Sequence, residues 1–303
     1  MELAMIGLGR MGAAMAQRLT TGGHQVVAFD HDRAAVDSAA ALGARPASSL
    51  EDAVVQLKAP RVIWIMVPAG EAVDQTLTSL LGIIQAGDVI VDGGNSNYRD
   101  TLRRSELLAK RGVRFLDVGT SGGVWGAQNG YSLMIGGEAA TVLSLRPIFE
   151  TLAPAADKGW AHVGPVGAGH YAKMAHNGIE YGLMQAYAEG FALLENKKEF
   201  EFDLGQVARV WQHGSVVRSW LLDLTADALA ENKALEGIAP YVADSGEGRW
   251  MVFEAISNDV PCPVISAALM ERIRSRSQNS FANRLLSVMR NKFGGHAIKK
   301  GKA

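Results

Sequence analysis

The chain carries little that would suit a bilayer, an oxidising compartment or a polyanion. One cysteine, Cys262, stands among 303 residues, so no internal disulfide can form and a reducing, cytoplasmic setting is expected. A lone cysteine of this kind reads as a small core residue rather than a nucleophile. No apolar run approaches the length of a membrane span. The opening segment Met1 to Ile6 has neither a charged n-region nor a cleavable apolar stretch, so no signal peptide is expected. Charge of one sign is also lacking: 30 Lys and Arg against 31 Asp and Glu give a net charge of −1, which excludes general attraction to nucleic acid. The stretch Arg272 to Lys302 is the one locally basic exception. The seven histidines show no ligand spacing with cysteine or carboxylate, so no metal centre is expected. What is present, 48% apolar and 20% charged residues, is ordinary globular composition, and the length suits two domains of about 150 residues.

The first half alternates short apolar runs with amphipathic stretches. Strands are expected at Leu3–Ile6, Val26–Phe29, Val62–Val67, Val89–Val91, Phe115–Val118 and Ser132–Ile135. Helices are expected at Met11–Thr20, Arg33–Leu42, Glu71–Leu81 and Thr101–Lys110, several of them stopped by glycine. Strands that are apolar throughout are buried on both faces, as in a parallel sheet covered by helices. The fold class is therefore α/β, an N-terminal Rossmann-type doubly wound domain over residues 1–163. Beyond Val163-Gly164-Pro165 strand alternation stops. Helical stretches at Tyr171–Asn196, Leu204–Trp211, Ser219–Leu229 and Val264–Arg276 predict an all-α domain over residues 164–303, ending in a short polar tail from His296 to Ala303.

Gly7-Leu8-Gly9-Arg10-Met11-Gly12 is a G-x-G-x-x-G run between an expected strand and an expected helix, the context that dinucleotide binding requires. Gly7 makes the tight turn, Gly9 lets the backbone approach a pyrophosphate, and Gly12 lets helix and strand pack closely, with the helix N-terminus facing the anion. The second strand ends at Asp30, where a carboxylate meets the adenosine ribose hydroxyls. Asp30 and Asp32 repel a 2′-phosphate, whereas His31 and Arg33 pull the other way. NAD is favoured and NADP is the alternative. Asp30 and Asp32 also read as helix N-caps, and the two roles can coexist. Val67-Pro68-Ala69-Gly70 and Asp92-Gly93-Gly94-Asn95-Ser96 end the third and fourth expected strands at the carboxyl edge, where ligands bind in such sheets.

Ser121-Gly122-Gly123 follows the fifth strand at the same edge. It offers N–H groups and a hydroxyl to an anionic or polyol substrate, and reads equally as a plain glycine turn. Further on, Lys173, His176, Asn177, Glu180 and Tyr181 are spaced to share one helical face. That face is either solvated or a polar cluster kept in a helix otherwise rich in Met, Ala, Gly and Leu because it has a task. Oxidation of a secondary alcohol needs a base for the hydroxyl proton, which a desolvated lysine can be, and a carboxylic acid on the same face can return a proton to carbon. Arg272 and Arg290 are candidate phosphate ligands by virtue of their forked donors, or else surface charge.

Together these motifs resemble the β-hydroxyacid dehydrogenase superfamily and, within it, the 6-phosphogluconate dehydrogenase family. The resemblance runs through nearly the whole chain. It is carried by Gly7–Gly12, Asp92–Ser96, Ser121–Gly123, Lys173-Met174-Ala175-His176-Asn177-Gly178-Ile179-Glu180-Tyr181 and Arg290-Asn291-Lys292-Phe293-Gly294-Gly295-His296. It implies oxidative decarboxylation of 6-phosphogluconate to ribulose 5-phosphate, a reaction of the pentose phosphate route and of gluconate utilisation. Lys173 would be the base and Glu180 the acid. Asn95, Ser121, Gly122, Gly123, His176 and Asn177 would hold the sugar acid, and Tyr181 and Arg272 its phosphate. Gly7 to Gly12, Asp30, His31, Asp32, Val67, Pro68, Ala69 and Asn95 would line the cofactor. The resemblance also implies a homodimer or homotetramer in which Arg290 and His296, on a C-terminal tail, serve the neighbouring subunit.

Three features depart from the family pattern. The chain is too short for the duplicated helical half of long members. Ser245-Gly246-Glu247-Gly248-Arg249-Trp250 stands where the family has a substrate-binding lysine just before a Gly-Thr-Gly-Lys-Trp run, with Arg249 as the candidate substitute. Asp30 stands where NADP-preferring members have a neutral residue. Two other readings remain open, a 3-hydroxyisobutyrate- or tartronate-semialdehyde-type dehydrogenase that releases no CO₂ and a non-catalytic NAD-binding or redox-sensing protein.

Overall fold

A computed structural model describes residues 1–277, 280–294, 297 and 299. Two compact units divide the chain, Met1–Asn177 and Gly178–Ala303. In chain order the first holds β1 (Glu2–Ile6), α1 (Arg10–Thr21), β2 (Gln25–Phe29), α2 (Arg33–Ala41), β3 (Arg45–Pro46), α3 (Leu50–Val55), β4 (Val62–Ile65), α4 (Glu71–Leu80), β5 (Val89–Asp92), α5 (Tyr98–Ala109) and β6 (Arg114–Ser121). It continues with a 3₁₀ turn (Gly123–Trp125), α6 (Gly126–Asn129), β7 (Ser132–Gly137), α7 (Ala139–Ser144), α8 (Arg146–Leu152) and β8 (Trp160–Gly164). A 29-residue helix, α9 (Ala168–Asn196), starts in the first unit and ends in the second.

The sheet runs β3-β2-β1-β4-β5-β6-β7-β8, a doubly wound order with its switch point beside β1. The pleat explains why the strands read as unbroken apolar runs. Leu3 and Met5 face one buried cluster with Val26, Ala28, Trp64 and Val91. Ala4 and Ile6 face another with Val27, Ile63, Ile65 and Ile90. Burying one such side chain stabilises by about 1.5–3 kcal/mol, so two covered faces make this sheet the rigid frame of the unit. One feature differs from the expected parallel sheet: β7 pairs antiparallel with β6, and β8 is parallel to β7. A short apolar run carries no direction, so Ser132–Ile135 reads the same either way. The elements β3, α3, α6, α7, α8 and β8 were also not expected. β3 is two residues long, and β8 exposes Ala161, His162 and Val163 and so lacks the buried-strand signature.

The expected domain limit at 163/164 coincides with the end of β8, whereas the compact units divide at 177/178. The first turns of α9 pack on the sheet. A Cβ on Gly169 would lie 2.4 Å from the Met134 carbonyl oxygen and 2.5 Å from that of Asp117, so only glycine permits this approach.

The second unit holds the rest of α9, a 3₁₀ turn (Lys198–Phe200), α10 (Leu204–Trp211), α11 (Trp220–Glu231), α12 (Glu247–Ser257), α13 (Pro263–Ser275) and α14 (Phe281–Gly294). Every regular element among its described residues is helical, as expected, with α12 and α14 added to the expected set. Phe191, Ala208, Leu222, Ala226 and Leu229 form one small core. Tyr181, Val252, Ala268 and Leu269 form another, against which the half-buried Cys262 packs, in keeping with its reading as a core residue.

Candidate active site

The three glycines of the turn sit in different surroundings. Gly7 sits at φ +94°, a region that disfavours side chains, and a Cβ there would lie 2.7 Å from the Met66 carbonyl oxygen. A Cβ on Gly12 would lie 2.0 Å from the Gly7 carbonyl oxygen, which is the close packing of helix on strand. Gly9 differs from both, with no atom within 4 Å of its Cβ position. Its open face, beside an α1 N-terminus that no side chain caps, fits a pyrophosphate.

Of the acidic pair at the end of β2, one residue caps a helix. Asp32 is the N-cap, accepting from Ala34 N at 3.0 Å. Asp30 instead accepts from Leu8 N at 2.6 Å and from Asp32 N at 2.8 Å, which ties the glycine turn to the end of β2. Arg33 pairs with Asp37 at 3.0 Å on the surface, and the His31 ring packs edge-on to Phe29.

Along the sheet edge, Val67 is half-buried, Pro68 and Ala69 are exposed, and Gly70 (φ +89°) opens α4. In the next loop Asp92 is fully buried. It accepts from Gly94 N at 3.2 Å and from the Ser96 hydroxyl at 2.7 Å, which fixes the loop that presents the half-buried Asn95.

Strand β6 and helix α9 form a ladder that holds the candidate base. Asp117, Gly119 and Ser121 lie on one face of β6, by its period of two. The buried Asp117 carboxylate accepts from Gly167 N at 2.7 Å and from His170 N at 2.8 Å at the start of α9. At the middle rung a Cβ on Gly119 would lie 2.5 Å from both the Lys173 Cβ and the Gly169 carbonyl oxygen. At the top, Ser121 Oγ is 3.3 Å from His176 Nε2. Lys173 is 6% exposed, and its Nζ donates to Asn177 Oδ1 at 2.8 Å, an atom that also lies 3.0 Å from His176 Nδ1. Lys173, His176, Asn177 and Ser121 thus form a single hydrogen-bonded cluster, with Gly122 and Gly123 (φ +135° and +51°) turning the chain beside it.

The second unit groups cations around one carboxylate. Asp244, whose side chain is 5% exposed, accepts from Arg249 Nε and Nη2 at 3.0 and 3.1 Å and also from Arg276. The Arg249 bond, then Arg276, holds this carboxyl below the usual carboxylate range against the opposing effect of burial. Arg272 stacks on the buried Tyr181, with Cζ 3.5 Å from the ring centroid, and donates to the Ala243 carbonyl oxygen at 3.0 Å. Glu180 is half-buried and Arg290 is exposed on α14. His296 lies outside the described residues.

Residues 2–164 match the family model for the NAD binding domain of 6-phosphogluconate dehydrogenase, and residues 169–300 match that of its C-terminal domain. This chain belongs to the 6-phosphogluconate dehydrogenase family. An NAD(+)-dependent, decarboxylating 6-phosphogluconate dehydrogenase of Haloferax volcanii is 46% identical over 299 residues, 98% of each chain. A decarboxylating 6-phosphogluconate dehydrogenase of Bacillus licheniformis is 36% identical over 90% of this chain and 61% of its own length. The Plasmodium falciparum 6-phosphogluconate dehydrogenase structure superposes over all of this chain and 67% of its own, with a TM-score of 0.84 at 28% identity.

Of the residues that the sequence patterns singled out, Leu8 and Asp30 are joined by one hydrogen bond, and Ser121, Lys173, His176 and Asn177 by a separate hydrogen-bonded cluster. The patterns missed Arg104, Asp117, Asp244 and Arg276. Arg104 and Asp117 are charged residues in otherwise apolar or amphipathic runs, a signal that single-sequence periodicity discards. Among the described residues no group of histidine, cysteine, aspartate and glutamate is placed to hold a metal ion, and no helix is long and apolar enough to cross a membrane.

Proposed function

We infer that the chain catalyses oxidative decarboxylation of 6-phosphogluconate to ribulose 5-phosphate and CO₂ in the cytoplasm, with NAD preferred. The observation that carries this reading is the buried cluster in which Lys173 Nζ sits 2.8 Å from Asn177 Oδ1, with His176 and Ser121 beside it. Lys173 takes the proton of the 3-hydroxyl. Bound NAD supplies the hydride acceptor. The 3-keto acid left behind loses CO₂ to give an enediol, and Glu180 delivers a proton to its C1. Asn95, Ser121, the Gly122–Gly123 turn, His176 and Asn177 hold the sugar acid by hydrogen bonds. Tyr181 and Arg272 take the phosphate, and Arg249, already oriented by Asp244, stands beside them as the substitute for the family lysine.

NAD preference rests on Asp30 and Asp32, whose carboxylates oppose a 2′-phosphate. Arg33, the nearest cation in sequence, is engaged with Asp37. The assembly proposed is a homodimer or homotetramer in which Arg290 and His296 complete a neighbour's substrate site. Its support is the apolar surface of the second unit, where Leu193, Phe253 and Ile256 are 73%, 64% and 69% exposed and a cavity of about 1200 Å³ opens among Phe191, Leu221 and Leu229.

The test is a steady-state assay with 6-phosphogluconate, with NAD and NADP in parallel, following reduced nicotinamide and CO₂ together. Equal yields of both are expected, with NAD the faster cofactor. Reduced nicotinamide without CO₂ assigns the protein to simple hydroxyacid oxidation, a reading that gains weight from a Mycobacterium tuberculosis 3-hydroxyisobutyrate dehydrogenase that superposes with a TM-score of 0.72.

A further inference from the structure

Arg104, in the middle of α5, is 1% exposed, yet it carries a full charge. A buried guanidinium is tolerated only where its donors are met, and here they are met by helix α4 and two different loops. Nε donates to Asp74 Oδ1 on α4 at 2.9 Å. Nη1 reaches Ser96 Oγ at 3.1 Å and Asp92 Oδ2 at 3.5 Å. Nη2 donates to the Gly70 carbonyl oxygen at 2.9 Å. Gly70 closes the loop that begins at Val67. Asp92 and Ser96 are the internal ties of the loop that presents Asn95.

Strand order says what lies between these loops. With β2 on one side of β1 and β4 then β5 on the other, a dinucleotide whose pyrophosphate sits on the glycine turn and whose adenosine reaches Asp30 extends its nicotinamide half toward the ends of β4 and β5. Those are the two ends that Arg104 ties. Joining α4 to α5 does not need it, because the exposed Arg103 already pairs with Asp74 at 2.9 Å.

We propose that Arg104 is a positioning residue that sets the spacing of the Val67–Gly70 and Asp92–Ser96 loops, and through it the seat of the nicotinamide ring beside the substrate. The seat for the ring rests on the NAD-dependent reading above. Arg104 touches neither cofactor nor substrate, and its effect on the reaction runs through Gly70, Ser96 and Asp92.

The test compares the full chain with Arg104→Gln, Arg104→Lys, Ser96→Ala and the control Arg103→Gln. Affinities for NADH and for ADP-ribose, which has no nicotinamide, are measured beside kcat/KM for 6-phosphogluconate. In Arg104→Gln the ADP-ribose affinity stays that of the wild type while the preference for NADH over ADP-ribose is lost, and kcat/KM falls by about 100-fold, the scale of a displacement near 1 Å. Arg104→Lys recovers part of this, Ser96→Ala shows a smaller loss of the same kind, and Arg103→Gln leaves all three quantities unchanged. An unchanged NADH preference in Arg104→Gln, or an equal fall in ADP-ribose affinity, overturns the proposal. Should Arg104→Gln fail to fold, Ser96→Ala decides, because it removes the shorter of the two contacts to the loop, leaving that to Asp92 at 3.5 Å, without removing the buried charge. A wild type that binds both nucleotides yet does not turn over 6-phosphogluconate sinks the functional reading alone, since the affinity ratio still reports on Arg104.

Discussion

Lys173, the proposed base, is defined at the residue scale by its surroundings. It lies at 6% exposure with a neutral amide oxygen, Asn177 Oδ1, as a partner at 2.8 Å. The amide oxygen fixes the direction of the amine by hydrogen bonding, which is what the proposed role of base requires of its geometry. Lys173→Ala is expected to lower kcat by about 10²- to 10⁴-fold, with NAD affinity unchanged. Parallel turnover and nucleotide titrations check this, and full activity in the variant removes Lys173 from the role of base. Asp244 makes a prediction of a different kind. Its carboxyl is held low, by Arg249 first and Arg276 next, so the folded form binds its proton less readily than the unfolded chain does. That stabilising contribution is complete above the ordinary carboxylate range and is lost as pH falls below about 4 and through the lowered folded value. The thermal midpoint should therefore drop less steeply between about pH 5 and pH 3 in Asp244→Asn than in the wild type. Equal slopes would mean that the carboxyl does not contribute in this way.

At the scale of elements, the β6–α9 ladder converts backbone geometry into site geometry. Strand residues at i, i+2 and i+4 meet helix residues on successive turns: Asp117 with Gly167 and His170, Gly119 with Gly169 and Lys173, Ser121 with His176. A short apolar run located β6, and the helical spacing of 3.6 located α9 and its polar face, each within a few residues. Which strand the helix would lie on was not readable. That depends on two glycines meeting across elements 50 residues apart, and a lone glycine in a strand signals close approach without naming the partner. The direction of β7 escaped for a similar reason, since its antiparallel pairing is decided by partners and not by its own sequence. Gly119→Ala tests the ladder. The added methyl meets the Lys173 Cβ and the Gly169 carbonyl at 2.5 Å, and backbone at that point cannot yield cheaply. A loss of about 1–3 kcal/mol in stability is expected from such overpacking, together with a fall in kcat larger than the change in NAD affinity. Denaturant melts and turnover together check it, and wild-type values in both would show that α9 is not held at this rung.

For the whole molecule the question is what covers the apolar surface of the second unit. Val216 is fully exposed, and Phe200 and Val210 are 63% and 65% exposed, in a chain that spans only 61% of the Bacillus licheniformis relative. A second copy of the chain is the covering that the proposed assembly supplies. On that proposal each substrate site takes Lys173 from one subunit and Arg290 and His296 from another, so two defects on different subunits must complement. Lys173→Ala and the double variant Arg290→Ala/His296→Ala are each expected to be nearly inactive alone, the double variant through a raised KM for substrate with NAD affinity intact. Mixed under conditions that exchange subunits, they form sites in which an intact Lys173 faces an intact tail, and activity returns in proportion to the mixed species measured by sedimentation. If the mixture stays as inactive as its parts while sedimentation shows mixed oligomers, the tail does not act across subunits. If the wild type sediments as a monomer at the concentration where it is fully active, the site is complete within one chain, and Arg290 and His296 belong either to that same chain's site or to its surface.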